Sequence, residues 1–201
     1  MQIKRHTVLI DAGRFSESQD FKKIMTEIYG AIEKVVHPEG SEKFTIFPQS
    51  GKKKGEGNGV KPIKIKFLSH LSDRRWILES TNRGEKYGPG PYDASFPVAE
   101  KYFVVEWETG NISSSHRAMN KICLGILQGN LIGGILILPT RELYQYLTDR
   151  VGNYPELEPY FPLWHSIPCK EGYLCVIAIE HDDTSYQVPR IPKGTDGMAR
   201  V

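Results

Sequence analysis

The stretch YFVVEWETGNISSSHRAMNKICLGILQGNLIGGILIL, residues 102–138, decides the fold. Its opening, YFVVEWE, is β-branched and aromatic, which predicts a strand over 102–108. Residues 113–128 then bring Met119, Ile122, Cys123 and Ile126 to one face at helical spacing, with Ser113 or Ser114 as the cap. LIGGILIL, 131–138, is a continuous apolar run, as expected of a strand covered on both faces. Pro139 opens a further helix over about 140–148, with Leu143, Tyr146 and Leu147 facing inward. GYLCVIAIE, 172–180, reads as one more core strand. Strand, helix, strand, helix, strand in this order predicts an α/β fold, with a central mixed sheet flanked by helices on both faces.

Upstream, Phe21, Ile24, Met25, Ile28, Ile32, Val35 and Val36 predict a helix over 18–36, capped by Ser18. Residues 38–62 are polar and Gly-rich, with the basic run Lys52-Lys53-Lys54. GEGNGVK within them matches neither a Walker loop nor a GxGxxG turn, so nucleotide cradling is not supported. Residues 63–78 are expected to be helical, and 81–92, rich in Gly, Pro and Asn, to be loop. Residues 1–182 are expected to form one domain. Residues 183–201 have little to bury and read as a C-terminal arm.

The chain has 201 residues, enough for one domain with its own core. Lys and Arg number 26 against 24 Asp and Glu, a net +2, which excludes a histone-like basic coat but not a local basic cleft. The apolar run at 131–138 is too short to span a bilayer, and the start MQIKRHTVLI has no signal-peptide core. The three cysteines lack CxxC spacing and are expected to be reduced thiols in a cytoplasm. No two histidines stand at i, i+4, so a zinc site is not expected.

The chemistry points to carboxylates. Glu106 and Glu108 stand at i and i+2 at the end of a core strand, and so share a face. Side by side they resist ionising unless a cation lies between them. A hairpin returning from Asp93 to Glu106 would add a third carboxylate. Such hard oxygen ligands, with no sulfur or histidine, suit Mg²⁺ sharing its shell with phosphate oxygens, the setting of phosphodiester hydrolysis. Asp…Glu-x-Lys is the familiar nuclease pattern; here Glu108 stands at the Lys position. The run Thr109–Arg117 supplies a Gly, an Asn, hydroxyls and a cation at a helix start, an anion-binding and base-reading surface. Asp149-Arg150, read as a surface ion pair on its own, also fits base recognition: Arg to guanine, Asp to a cytosine amino group.

The strings EWETGNISSSHRAMNK (106–121), YLTDRVGNYPELEPYF (146–161) and IPKGTDGM (191–198), with NGVKPIK (58–64) and PYD (91–93), resemble the BamHI family of type II restriction endonucleases. The resemblance runs through nearly the whole chain. It implies a PD-(D/E)xK-like endonuclease core and a homodimer on palindromic double-stranded DNA. The expected site is GGATCC, cut to leave 5′-phosphates. It implies that Asp93, Glu106 and the backbone carbonyl of Trp107 bind Mg²⁺, with a pair of ions expected. Glu108 would orient or deprotonate the attacking water, with Glu79, in WILE, as an accessory acid. Asn111, Ser113, Asp149 and Arg150 would read bases in the major groove. Lys64 and Arg117 match further DNA contacts, and Gly194 and Asp196 lie in an arm placed along the minor groove.

Some positions depart from the family. Trp107 replaces a Phe. Leu127, Gln128 and Pro162 stand where the family has intersubunit ion pairs, so a more apolar interface is expected, with Trp164 as a candidate anchor. The family's further C-terminal segment is expected to be missing. The competing expectations are a DNA-binding protein without catalysis and a repair nuclease without a fixed sequence.

Overall fold

The computed structural model describes residues 1–53, 55–72, 74–80, 90–148 and 150–193. Its centre is a six-stranded mixed sheet in the order β1-β7-β6-β5-β4-β3. The strands are β1 (Gln2–Ala12), β3 (Ile77–Ser80), β4 (Tyr92–Val98), β5 (Lys101–Trp107), β6 (Leu131–Pro139) and β7 (Gly172–Glu180). β5, β6 and β7 run parallel, whereas β4 folds back on β5 and β1 on β7 as antiparallel neighbours. Two short strands, β2 (Thr45–Ile46) and β8 (Asp183–Thr184), pair separately in parallel.

The period-2 alternation of the strands sorts the core into two layers. Phe103, Val105 and Trp107 of β5 face α1 (Gln19–Glu33) and α2 (Lys61–Ser72), packing with Ile24, Ile28, Phe67 and Leu71. Val104 faces the other way, toward Met119 and Ile122 of α3 (Ile112–Leu127). Tyr154 and Leu157 of α5 (Tyr154–Leu157), and Phe161 and Trp164 of α6 (Phe161–His165), fill that second layer. Helices thus cover both faces, as the patterning predicts. β6 is buried along its whole length, in agreement with its unbroken apolar run. Its Gly133 has a structural reason: a Cβ there would lie 2.4 Å from the Tyr173 carbonyl oxygen and 2.9 Å from the Phe103 ring.

The Ser18 cap holds, its hydroxyl accepting from the Phe21 N–H at 3.1 Å, but the helix it begins stops at Glu33. Four other expectations are corrected. The cap of α3 is Asn111 rather than Ser113 or Ser114: its Oδ1 accepts both of their N–H groups. The helix expected over 63–78 is α2, which ends at Ser72, and Ile77–Ser80 joins the sheet beside β4. The helix expected over 140–148 is a single turn, α4 (Arg141–Tyr144), capped by Thr140. The chain then turns so that Leu147 can bridge Asn58. Trp164 is not an interface anchor: it is 1% exposed within this chain, and its indole N–H donates to Asn120 Oδ1 at 2.9 Å.

The segment after Glu180 is also better anchored than its composition suggests, with Ile191 buried and its N–H bonded to Asn58 Oδ1. No helix among the described residues is long and apolar enough to cross a membrane.

Gly133→Ala should cost about 1–3 kcal/mol through overpacking, read as a lower denaturation midpoint at unchanged slope. Gly30→Ala, in α1 with open space around its Cβ, should be neutral or stabilise by up to about 1 kcal/mol.

Candidate active site

The C-terminal end of β5 opens into a cleft of about 620 Å³. Asp93 comes to it from β4, Glu106 and Trp107 from β5, and Glu108 from the turn that follows. The hairpin pairing sets Ala94 opposite Val105, so Asp93 lies beside the end of β5. One Asp93 oxygen accepts the Trp107 N–H at 2.8 Å and the other the Lys64 ammonium at 2.5 Å. Lys64 arrives from α2.

Glu106 is 8% exposed and turned toward α3, where Lys121 forms an ion pair with its Oε1. No well-directed hydrogen bond reaches that oxygen. The Lys121 ammonium is itself fixed, donating to the Pro91 carbonyl at 2.6 Å and lying 4.6 Å from the centre of the Tyr92 ring. Burial, and then the Asp93 charge, raise the Glu106 carboxyl from 4.5 to about 7, despite the opposing pull of Lys121 and Lys64.

Glu108 is held differently. Its Oε1 accepts the Gly110 N–H at 2.6 Å, and its Oε2 accepts the hydroxyl of the fully buried Ser115. Burial still pushes its carboxyl up, with these bonds opposing. The three carboxylates share the cleft, but they do not form the three-ligand cage that the strand spacing implied. Among the described residues no three His, Cys, Asp or Glu side chains are grouped to hold a metal ion. The reason is local: β5 ends at Trp107, and Glu108 turns away toward Ser115.

Asp93 and Glu106 nonetheless fit a hard divalent ion. They bring carboxylate oxygens and no sulfur or nitrogen to the cleft, and Mg²⁺ needs few protein ligands because it retains waters and takes phosphate oxygens; in the metal-free chain Lys64 and Lys121 hold these oxygens.

The other expected residues divide into groups. Lys64 and Arg117 line the cleft. Asn111 and Ser113 are exposed at the start of α3 beside it. Arg150 lies instead in a neighbouring basic groove with Lys52 and Arg141, in a left-handed conformation at φ 51°. Glu79, on β3, is exposed, has φ 49°, and is not among the cleft-lining residues. Asp149, Gly194 and Asp196 lie outside the described residues.

Lys121 and Ser115 were missed by the sequence reading. A signal for Lys121 was present: Ser114, Arg117, Ala118 and Lys121 recur at i, i+3, i+4 and i+7, and all four line the cleft. Ser115 had none, being one of three consecutive serines.

The family model "Restriction endonuclease BamHI" matches residues 1–198. The chain belongs to the BamHI family of restriction endonucleases. It is 50% identical over 200 residues to the type II restriction enzyme OkrAI of Oceanobacter kriegii, covering 99% of each chain. It is 34% identical over 209 residues to the type II restriction enzyme BamHI of Bacillus amyloliquefaciens, covering 100% of this chain and 94% of that one. Among solved structures it is similar to the restriction endonuclease BglII in complex with a DNA 16-mer, with a TM-score of 0.64 at 11% identity over 90% of this chain and 79% of that one. Free BglII gives a TM-score of 0.51 at 9% identity, over 90% and 81%. These two likenesses establish the endonuclease fold. Family membership makes the chain a type II restriction endonuclease, a DNA hydrolase.

The raised Glu106 carboxyl has a consequence for the metal-free enzyme. The folded chain holds a proton there that the unfolded chain releases near 4.5. Stability from this group is therefore full below about pH 4.5 and is lost as pH rises through about 7. Glu106→Gln should raise the melting temperature of the metal-free protein at pH 8, by several degrees for about 1–2 kcal/mol. By pH 4.5 the gain should vanish. A constant difference across a pH series of thermal scans would count against this account.

Proposed function

We propose that this endonuclease cuts double-stranded DNA at the palindrome GGATCC, as a homodimer, by Mg²⁺-dependent hydrolysis that leaves 5′-phosphates. The observation that carries the reading is one cleft with Asp93, Glu106 and Glu108 facing Lys64 and Arg117. Lys64 and Lys121 balance Asp93 and Glu106 in the metal-free chain; a pure DNA binder has no use for three carboxylates in a phosphate-facing cleft, whereas metal-dependent hydrolysis does, and this favours an enzyme.

Asp93 and Glu106, with the Trp107 carbonyl, would hold the Mg²⁺, a pair of ions by analogy with two-metal sites. Such ions supply charge neutralisation on the phosphate and acidification of a water. Glu108 orients that water and takes its proton: a buried carboxyl with a raised pKa is a better base than an exposed one. Lys64 and Arg117 position the phosphate. Lys64 now bonds Asp93, so its ammonium is already at the cleft wall where backbone oxygens would enter.

Asn111, Ser113, Asp149 and Arg150 read base edges, and Gly194 and Asp196 follow the minor groove. Asn111 commits its side-chain oxygen to the helix cap, which leaves its amide nitrogen as the reading group. Glu79 is at most an accessory acid, given its place outside the cleft lining. The dimer would use α3, α6 and the turn just before α6, where Leu124, Leu127, Leu163 and Tyr160 are all at least 41% exposed. An apolar surface of this kind replaces the ion pairs of the family.

Incubation of a sequenced plasmid with Mg²⁺, and in parallel with EDTA, tests the reading. Discrete ends at GGATCC with Mg²⁺ alone are expected; intact DNA in both tubes would leave a binding protein, and ends without a shared sequence a non-specific nuclease. Glu108→Lys should bind the site but cleave it on the order of 100-fold more slowly. Arg150→Ala should weaken specific binding by about 1–3 kcal/mol. Equal loss on random DNA would refute a base-reading role.

A further inference from the structure

Glu108 and Arg150 lie in different clefts, yet two short contacts connect them. The Gly152 N–H donates to the Gly110 carbonyl at 2.8 Å, and the Gly110 N–H donates in turn to Glu108 Oε1 at 2.6 Å. The other Glu108 oxygen accepts the Ser115 hydroxyl. Ser115 Oγ is packed so closely on Gly152 that a Cβ there would lie 2.3 Å from it, and 3.2 Å from the Ile112 Cα. Both oxygens of Glu108 are thus held by groups that touch one residue, Gly152, two positions from Arg150.

The connection is stiff at one end and yielding at the other. Ser115 and Val151 are fully buried, so a shift of the 150–153 turn is transmitted rather than absorbed. Arg150 is exposed and left-handed. Asn153, beyond Gly152, is fully buried, so the turn is enclosed on its C-terminal side.

We propose that Ser115 and Gly152 form the link through which base reading at Arg150 sets the position of Glu108. The inference rests on the roles given above to Arg150 and Glu108. When Arg150 is seated on its base, Gly152 keeps Gly110 and Ser115 where they aim the Glu108 carboxylate at the water. A wrong base displaces the turn, and the carboxylate loses its aim. Discrimination therefore enters the cleavage step as well as binding. Ser115 is a positioning residue, acting through Glu108 and not on the substrate.

Single-turnover cleavage rates test this on two duplexes: the sequence the wild-type chain cuts fastest, found by sequencing fragment ends, and that sequence with one base pair changed. Ser115→Ala should slow the first by at least about tenfold, since small misplacements of a reacting group have effects of this size. It should slow the second less than threefold on the same scale, so the ratio narrows, with binding to the first duplex in EDTA unchanged. Gly152→Ala should act similarly, because its Cβ displaces the Ser115 hydroxyl. The double variant removes that hydroxyl and should be no slower than Ser115→Ala alone, a non-additive pair. Equal slowing on both duplexes, or additive losses in the double variant, would overturn the link and leave Ser115 a packing residue. A wild-type chain that cuts no duplex would instead overturn the functional reading on which the link rests.

Discussion

Two carboxylates set side by side, Glu106 buried and Asp93 half-buried, are the constraint on which the rest of the cleft depends. Glu106 sits at the end of a core strand with Asp93 beside it. Left alone, the pair would shed charge or move apart. The fold answers from both sheet faces. α2 sends Lys64 to Asp93, and α3 sends Lys121 to Glu106. The Trp107 N–H adds a backbone donor to Asp93. Each helix carries an apolar stripe into its own core layer and a cation into the same cleft, so packing and electrostatics fix the two carboxylates together.

Glu108 belongs to a different arrangement. It is satisfied by a backbone N–H and a buried hydroxyl rather than by cations, and it turns out of the strand to reach them. One residue of separation along the chain therefore places Glu106 and Glu108 in different surroundings. Asp93 and Glu106 are matched to positive charge, and Glu108 to neutral donors that leave it able to accept a proton.

Much of this was legible in the residues. The apolar runs at 131–138 and 172–180 were readable as covered strands, and most of the 18–36 stripe as a helix face. Glu106 and Asp93 were readable as neighbours because a hairpin between them was foreseeable. What stayed hidden had physical causes. β1 lies at the sheet edge, and its mixed residues QIKRHTVLIDA follow its largely exposed position rather than a strict alternation. The cap of α3 was misread because Asn111 and the serines after it are all good capping residues. WILE hid a strand because its tryptophan and leucine suit a helix equally well. The spacing of Ser114, Arg117, Ala118 and Lys121 puts Lys121 on one helix face, but only the tertiary packing shows its ammonium buried against Glu106.

The pairing of β1 with β7 governs when this molecule can exist as a folded object at all. His6 and Tyr173, joined across these strands, are 167 residues apart in sequence. Such non-local pairing closes late, after a large loss of chain freedom, and parallel strands like β6 and β7 add to the delay. On the ribosome, a growing chain has no partner for β1 until β7 emerges, so the six-stranded sheet that carries β4, β5 and β6 stays incomplete until then. An enzyme that cuts DNA therefore acquires its cutting geometry only near the end of its own synthesis, and truncated products of translation are left without it.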